Sequence, residues 1–192
     1  MILNSTSTPA AVVTLDEIKT YLKIPLTNTH VNDELTALID PATEAVKQYL
    51  NRSLSQETWQ YQPRLNSSYI KPELALNLPK PPIVSIQTVN LYNQENIATA
   101  INNENYLLVG NTFFFKKVPS DVSNLRKIYP LEILFTAGYS SIPSPVKLSI
   151  LVLIENLYEC SISVNNLHNL PASVVSLLHR YQIDAGYFSL NY

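Results

Sequence analysis

The amino-acid sequence predicts an α+β fold: a helical bundle of about four helices, two N-terminal and two C-terminal, with an inserted antiparallel β domain. Three observations carry that expectation. Apolar residues recur at spacings of three and four from Leu35 to Leu50 and again from Val146 to Leu157, the period of a helix with one buried face. From Ser55 to about Tyr139 the pattern changes to short β-branched or aromatic segments bounded by Pro, Asn or Gly, as strands and turns require. The chain has 192 residues, 46% of them hydrophobic, enough to bury a core as one large domain or two small ones without external staples. The expected boundaries are a flexible N-terminal arm at 1–13, a helical core at 14–54 and 143–181, an inserted β domain at 55–142 and a C-terminal tail at 182–192.

Residues 1–13 hold Ser, Thr, Pro and Ala without periodicity, so order is expected to begin at Thr14. Thr14-Leu15-Asp16-Glu17 reads as a capping box, in which the threonine side chain and the glutamate satisfy each other's backbone N–H groups. Leu15, Ile18, Tyr21 and Leu22 then form an apolar face, and Pro25 follows the helix end. A second helix begins after Asn32, with Asp33 and Glu34 placing negative charge in the first turn, where it opposes the helix dipole. Its core stripe is Leu35, Leu38, Ile39, Ala42, Ala45, Val46, Tyr49 and Leu50. Pro41 interrupts that run and implies a kink or a restart, since an internal proline costs roughly 3 kcal/mol, and the apolar stripe that continues across it favours a kink. Asn51 is a plausible left-handed stop.

Strands are expected at Glu57–Gln62, Leu74–Leu78, Val84–Tyr92, Tyr106–Val109, Thr112–Lys116 and Glu132–Thr136, with Gly110-Asn111 as a two-residue hairpin turn. Helix returns at Ser144-Pro145, with the serine as cap and the proline in the first helical position. Val146, Ile150, Leu153, Ile154 and Leu157 form its core face, and apolar residues around Leu148 to Ile154 suggest a central helix buried on more than one side. A last short helix starts near Pro171 with the stripe Val174, Val175, Leu177, Leu178 and Tyr181, before a tail DAGYFSLNY.

Composition argues against most chemistry. Only Gly110, Gly138 and Gly186 occur, too few for a loop that wraps a phosphate in backbone N–H groups. The lone Cys160 cannot form an internal disulfide, and its apolar helical setting reads as a partly buried bystander. His30, His168 and His179 stand in loops or at a helix end without a nucleophile motif. No HxxxH, CxxC or calcium-type acidic loop is visible, and the Asp16-Glu17 and Asp33-Glu34 pairs are explained by capping. No catalytic residue, metal site or cofactor is therefore expected. A formal charge of -2 without a basic block leaves no footprint for tight nucleic-acid binding. Lys116-Lys117 and Arg126-Lys127 read as solubilising residues, not as companions of an aromatic stacking surface. The longest apolar run is too short to span a bilayer and the N-terminus lacks a signal-peptide pattern, so a soluble cytoplasmic product is expected. Tyr187, Phe188, Leu190 and Tyr192 either fold back onto the core or dock on a partner.

Four segments in one order carry a resemblance: TLDEIKTYLKI with DELTALIDPATEAVKQYLNRSL; a β region with Trp59, LPKPPIVSIQTVNLY and Tyr106; LFTAGYSSIPSPVKLSILVLIENLYE; and LPASVVSLLHRY. From Thr14 to Tyr181 the chain resembles the head-to-tail connector, or head-completion adaptor, family of tailed phages and gene transfer agents. Pro41 departs from that family's uninterrupted helix, and the aromatic tail has no fixed role in its pattern. The resemblance implies a homo-oligomeric ring of about twelve copies under the portal vertex, in the neck of a virion assembled in the host cytoplasm. It implies the portal and the next tail or stopper protein as partners, passive contact with DNA in the channel and no membrane. Arg180, Tyr181, Tyr187, Phe188, Leu190 and Tyr192 are then the expected portal-docking residues. The alternatives are a tail-completion or tail-terminator ring protein and, more remotely, a small hydrolase.

Overall fold

The computed structural model describes residues 1–72, 74–118, 124–159 and 169–183. They fall into two compact units, a β unit of Met1–Pro9 with Gln56–Tyr139 and an α unit of Ala10–Ser55 with the described residues from Ser140 onward.

In the β unit, a five-stranded antiparallel sheet has the order β1-β2-β8-β4-β5, and a three-stranded sheet the order β3-β7-β6. The strands are β1 Ile2–Ser5, β2 Glu57–Gln62, β3 Ala75–Asn77, β4 Ile83–Tyr92, β5 Ala98–Ala100, β6 Tyr106–Val109, β7 Thr112–Phe115 and β8 Leu131–Ala137. Strand β1 lies in the segment read as an unpatterned arm; it pairs with β2 from Ile2↔Gln62 to Ser5↔Trp59. Its four residues are too few to show a period, and the pairing comes from the open edge of β2. Strand β5 was missed for the same reason.

Strand β8 sits centrally because alternation gives it one fully apolar face: Leu131, Ile133, Phe135 and Ala137 are all buried. Its neighbour β4 buries Val89 and Leu91 in the core and packs the partly buried Ile83 and Ile86 against it, and the first two steps along this series, of three residues each, violate a period of two. The register shifts between Ile83 and Ser85 and again between Ile86 and Thr88. Each bulge turns the following residues over, so Ile83, Ile86, Val89 and Leu91 oppose Ala137, Phe135, Ile133 and Leu131 on one face. The core is completed by Trp59, Tyr61, Phe113 and Phe115, the last two edge to face at 4.9 Å between centroids. Gly110 has φ +60 at the first position of the β6–β7 turn, as a type II′ hairpin requires. Asn111 instead uses its side chain and carbonyl to accept from Ile83 and Leu78 N–H at 3.1 and 2.9 Å.

The α unit contains α1 Leu15–Tyr21, α2 Asn32–Leu50, α3 Ser144–Tyr158 and α4 Ala172–Leu178, the last followed by a 3-10 turn at His179–Tyr181. The capping box of α1 forms: Glu17 N–H donates to Thr14 Oγ1 at 3.3 Å and Thr14 N–H to Glu17 Oε2 at 2.9 Å. Helix α2 runs through Pro41 without a restart and ends on Asn51 at φ 53. Ser144 is not a cap; Pro143 holds that position without a side-chain bond, and Ser144 and Pro145 open the first turn of α3. The proline ring at 145 fits there because first-turn N–H groups have no intrahelical acceptor. Helix α3 packs against α1, α2 and α4, burying Val146, Ile150, Leu153, Ile154 and Leu157 with Leu35, Val46, Leu50, Val174 and Leu178. None of the described helices is long and apolar enough to cross a membrane.

Candidate functional site

The carboxyl end of the α unit is where the sequence places docking residues. Helix α4 is short and half-apolar, so it holds Val174 and Leu178 in the core while Val175 and Leu177 stay partly exposed. Beyond it Arg180 is exposed and Tyr181 half-buried. Two backbone ties fix the chain there: Arg52 Nε donates to Tyr181 O at 2.5 Å, and Ile183 N–H donates to Leu50 O at 3.3 Å. Arg52 follows the left-handed stop of α2, so that stop aims the guanidinium at the end of α4. Its contribution was not legible from the sequence, where Arg52 marked only a helix end. An open groove of about 740 Å³ runs along α4, lined by Leu170, Ala172, Val175, Ser176, His179 and Arg180. Of the expected docking residues, the structure brings Arg180 and Tyr181 together at this end; Tyr187, Phe188, Leu190 and Tyr192 lie outside the described residues.

The remaining candidates are spread over both units. His30 and His179 are exposed, whereas His168 and Cys160 lie outside the described residues. Among the described residues no group of three His, Cys, Asp or Glu side chains could hold a metal ion. Lys116 and Lys117 are exposed. Arg126 is built into its loop instead: its guanidinium lies 4.2 Å from the Tyr92 ring centroid and donates to Tyr129 O at 2.7 Å.

Among the described residues three charged side chains are buried, Lys19, Glu57 and Glu132, and sequence reading missed all three. Lys19 on α1 is 2% exposed, and its Nζ donates to Leu26 O at 3.2 Å and Asn28 O at 2.7 Å, closing the loop between α1 and α2. Glu132, on the outer face of β8, accepts from Gln60 and Gln62 Nε2 at 2.8 and 2.7 Å and from Asn90 Nδ2 at 3.2 Å. Burial pushes its pKa up, but these amides and the Tyr92 hydroxyl outweigh burial and hold the carboxyl below its usual value. In the α unit, Lys147 binds Glu17 and lowers its pKa, joining α3 to the start of α1. Burial alone pushes the Tyr61 phenol up to about 12. These groups are structural ties; none forms a base paired with a nucleophile.

Comparison with known proteins follows the same line. The family model described as "Head completion protein" matches residues 11–183. No curated protein matches the chain. The fold is similar to a chain in the neck of an empty gene transfer agent particle, computed with C6 symmetry, at TM-score 0.73 and 16% identity, covering 96% of each chain. It is similar to a chain in the virion of a native gene transfer agent particle at TM-score 0.70 and 16% identity, covering 97% of this chain and 100% of that one. A third likeness, to the neck of a native particle computed with C12 symmetry, has TM-score 0.66 and 17% identity over 96% of each chain. At these identities the structures share a fold, and it is the match across residues 11–183 that decides membership: the chain belongs to the head completion protein family.

Proposed function

We propose that this protein is a structural head-to-tail connector subunit of a tailed phage or phage-like particle. About twelve copies form a closed ring beneath the portal, around the channel through which DNA is packaged and ejected. The observation that carries this reading is the family match over residues 11–183, and the shared fold with chains of gene transfer agent particles supports it. The role is one of assembly and not of catalysis. Portal protein binds one side of the ring and the next tail or stopper protein the other, while DNA passes without specific contact and no membrane is involved.

The docking arm is the segment from Arg180 to Tyr192. Its starting point is supported by the ties from Arg52 and Leu50, which fix where the segment leaves the α unit. A fixed exit lowers the ordering cost that a terminal segment pays on binding. Electron microscopy of the protein mixed with its portal tests the reading: a ring of added density under the portal is expected, and its absence would refute the connector role. A variant lacking residues 182–192 keeps its circular dichroism spectrum and loses portal binding in a pull-down. Retained binding removes the arm, and not the ring, from the account.

A further inference from the structure

Two loops of the β unit are tied side by side. Residues 63–72 and 124–130 are joined by the Asn66↔Ile128 bridge, by Ser67 N–H donating to Lys127 O at 3.3 Å and by Tyr129 N–H donating to Leu65 O at 3.2 Å. On these two neighbouring loops Arg64, Lys71 and Lys127 are exposed, as are Tyr69 and Ile128, at 41% and 61%. Neither loop segment contains Asp or Glu. The three cations have no ion pair among the described residues. An exposed isoleucine and tyrosine among unneutralised cations fit a partner that is acidic and partly apolar.

The same chain carries such a surface. Asp33, Ala37, Asp40 and Glu44 recur at helical spacing along α2 and all are exposed. Lys47 lies 3.9 Å from Glu44, while Asp33 and Asp40 have no cation among the described residues. Dipole compensation explains Asp33 in the first turn, but Asp40 lies two turns further on, where that effect has faded. Ala37 leaves the stripe low enough for a large side chain such as Ile128 to approach.

We propose that the Arg64–Tyr69–Lys71–Lys127–Ile128 patch of one copy receives the acidic α2 stripe of a second copy, as a subunit contact of the ring. The proposal rests on the connector reading. Because patch and stripe are different surfaces, the contact is heterologous: every copy offers its patch to one neighbour and its stripe to the other, and the series closes.

Charge exchange between copies tests it. One variant carries Arg64→Glu, Lys71→Glu and Lys127→Glu; the other carries Asp40→Lys and Glu44→Lys. Each is produced alone, and both together, in cells whose own copy of the gene is deleted, and tailed particles are counted by electron microscopy. Each variant alone should yield at least roughly tenfold fewer tailed particles than the wild-type chain, because like charges then face each other. Together they should recover to within about threefold of wild type, since alternating subunits present opposite signs at every contact. Lys127→Glu with Asp40→Lys repeats the exchange with a single substitution per chain, so a variant that fails to fold does not decide the outcome. Wild-type yields from either variant alone, or a mixture no better than its parts, would overturn the proposal. So would normal necks combined with faulty DNA retention in the patch variant, which assigns the patch to DNA. Failure of the connector reading looks different: the wild-type chain itself would then be absent from necks and would not restore tails.

Discussion

Replacing Glu132 by Gln isolates the worth of one buried charge, because shape and volume are nearly unchanged. In the native sheet Oε2 accepts from Gln60 and Gln62, and Oε1 accepts from Asn90 with the Tyr92 hydroxyl as a further partner. A glutamine side chain must present –NH2 at one of these two sites, so at least one amide donor, Asn90 or the Gln60 and Gln62 pair, loses its acceptor, while the Tyr92 hydroxyl can turn to accept and the bonds that remain lose the charge of their acceptor. Each buried donor left without an acceptor costs about 1–3 kcal/mol. Gln60, Gln62 and Asn90 are only half-buried, so water recovers part of that, and a loss of about 2–3 kcal/mol is expected. For a chain of this length the midpoint should fall by roughly 5–10 °C. Trp59, the sole tryptophan, is a core residue of the neighbouring strand β2 and reports the unfolding of this unit by fluorescence in urea. The pH dependence supplies the sign. A carboxyl held below its ordinary value of 4.5 stabilises fully above the unfolded pKa, and that stability is lost as pH falls through the folded one. Wild type and variant should therefore converge below about pH 4.5 and differ most near neutrality. An unchanged midpoint at pH 7, or a gap that widens in acid, would refute the assignment of Glu132 as an ionised, hydrogen-bonded anchor.

Three further outcomes are expected. Lys19→Met keeps the buried stem but leaves the carbonyls of Leu26 and Asn28 without their donor; it should cost about 1–3 kcal/mol and speed amide hydrogen exchange in residues 22–31. Gly110→Ala meets no neighbouring atom within 4 Å, yet φ +60 makes it unfavourable by about 1 kcal/mol or more, seen as a lower urea midpoint. Thr14→Ala removes the hydroxyl half of the α1 cap and should cost about 1 kcal/mol, whereas Thr14→Ser should be close to neutral.

Local signals in the sequence were strong wherever a few neighbouring residues settle the conformation. The capping box at Thr14, the left-handed stop at Asn51, the glycine turn at 110 and the apolar faces of α2 and α3 each depend on residues within a turn or two. The order of those segments also carried the resemblance to the family that the match over residues 11–183 establishes. Other features depend on residues far apart in the chain. Strand β1 exists because β2, more than fifty positions away, offers an open edge. The bulges of β4 appear only once its odd spacing must meet the regular alternation of β8. Glu132 and Lys19 look like ordinary surface charges in sequence, and burial follows from amides and carbonyls that other strands and a loop bring to them. Arg64, Lys71 and Lys127 are likewise scattered as letters, and they come onto neighbouring loops because backbone pairing ties residues 65–67 to 127–129. The sequence alone determined the α+β class, most element positions and the family. Only the tertiary structure decided which charges are buried and which meet at a surface, because hydrogen-bond partners and exposure are properties of long-range contacts, not of local propensity.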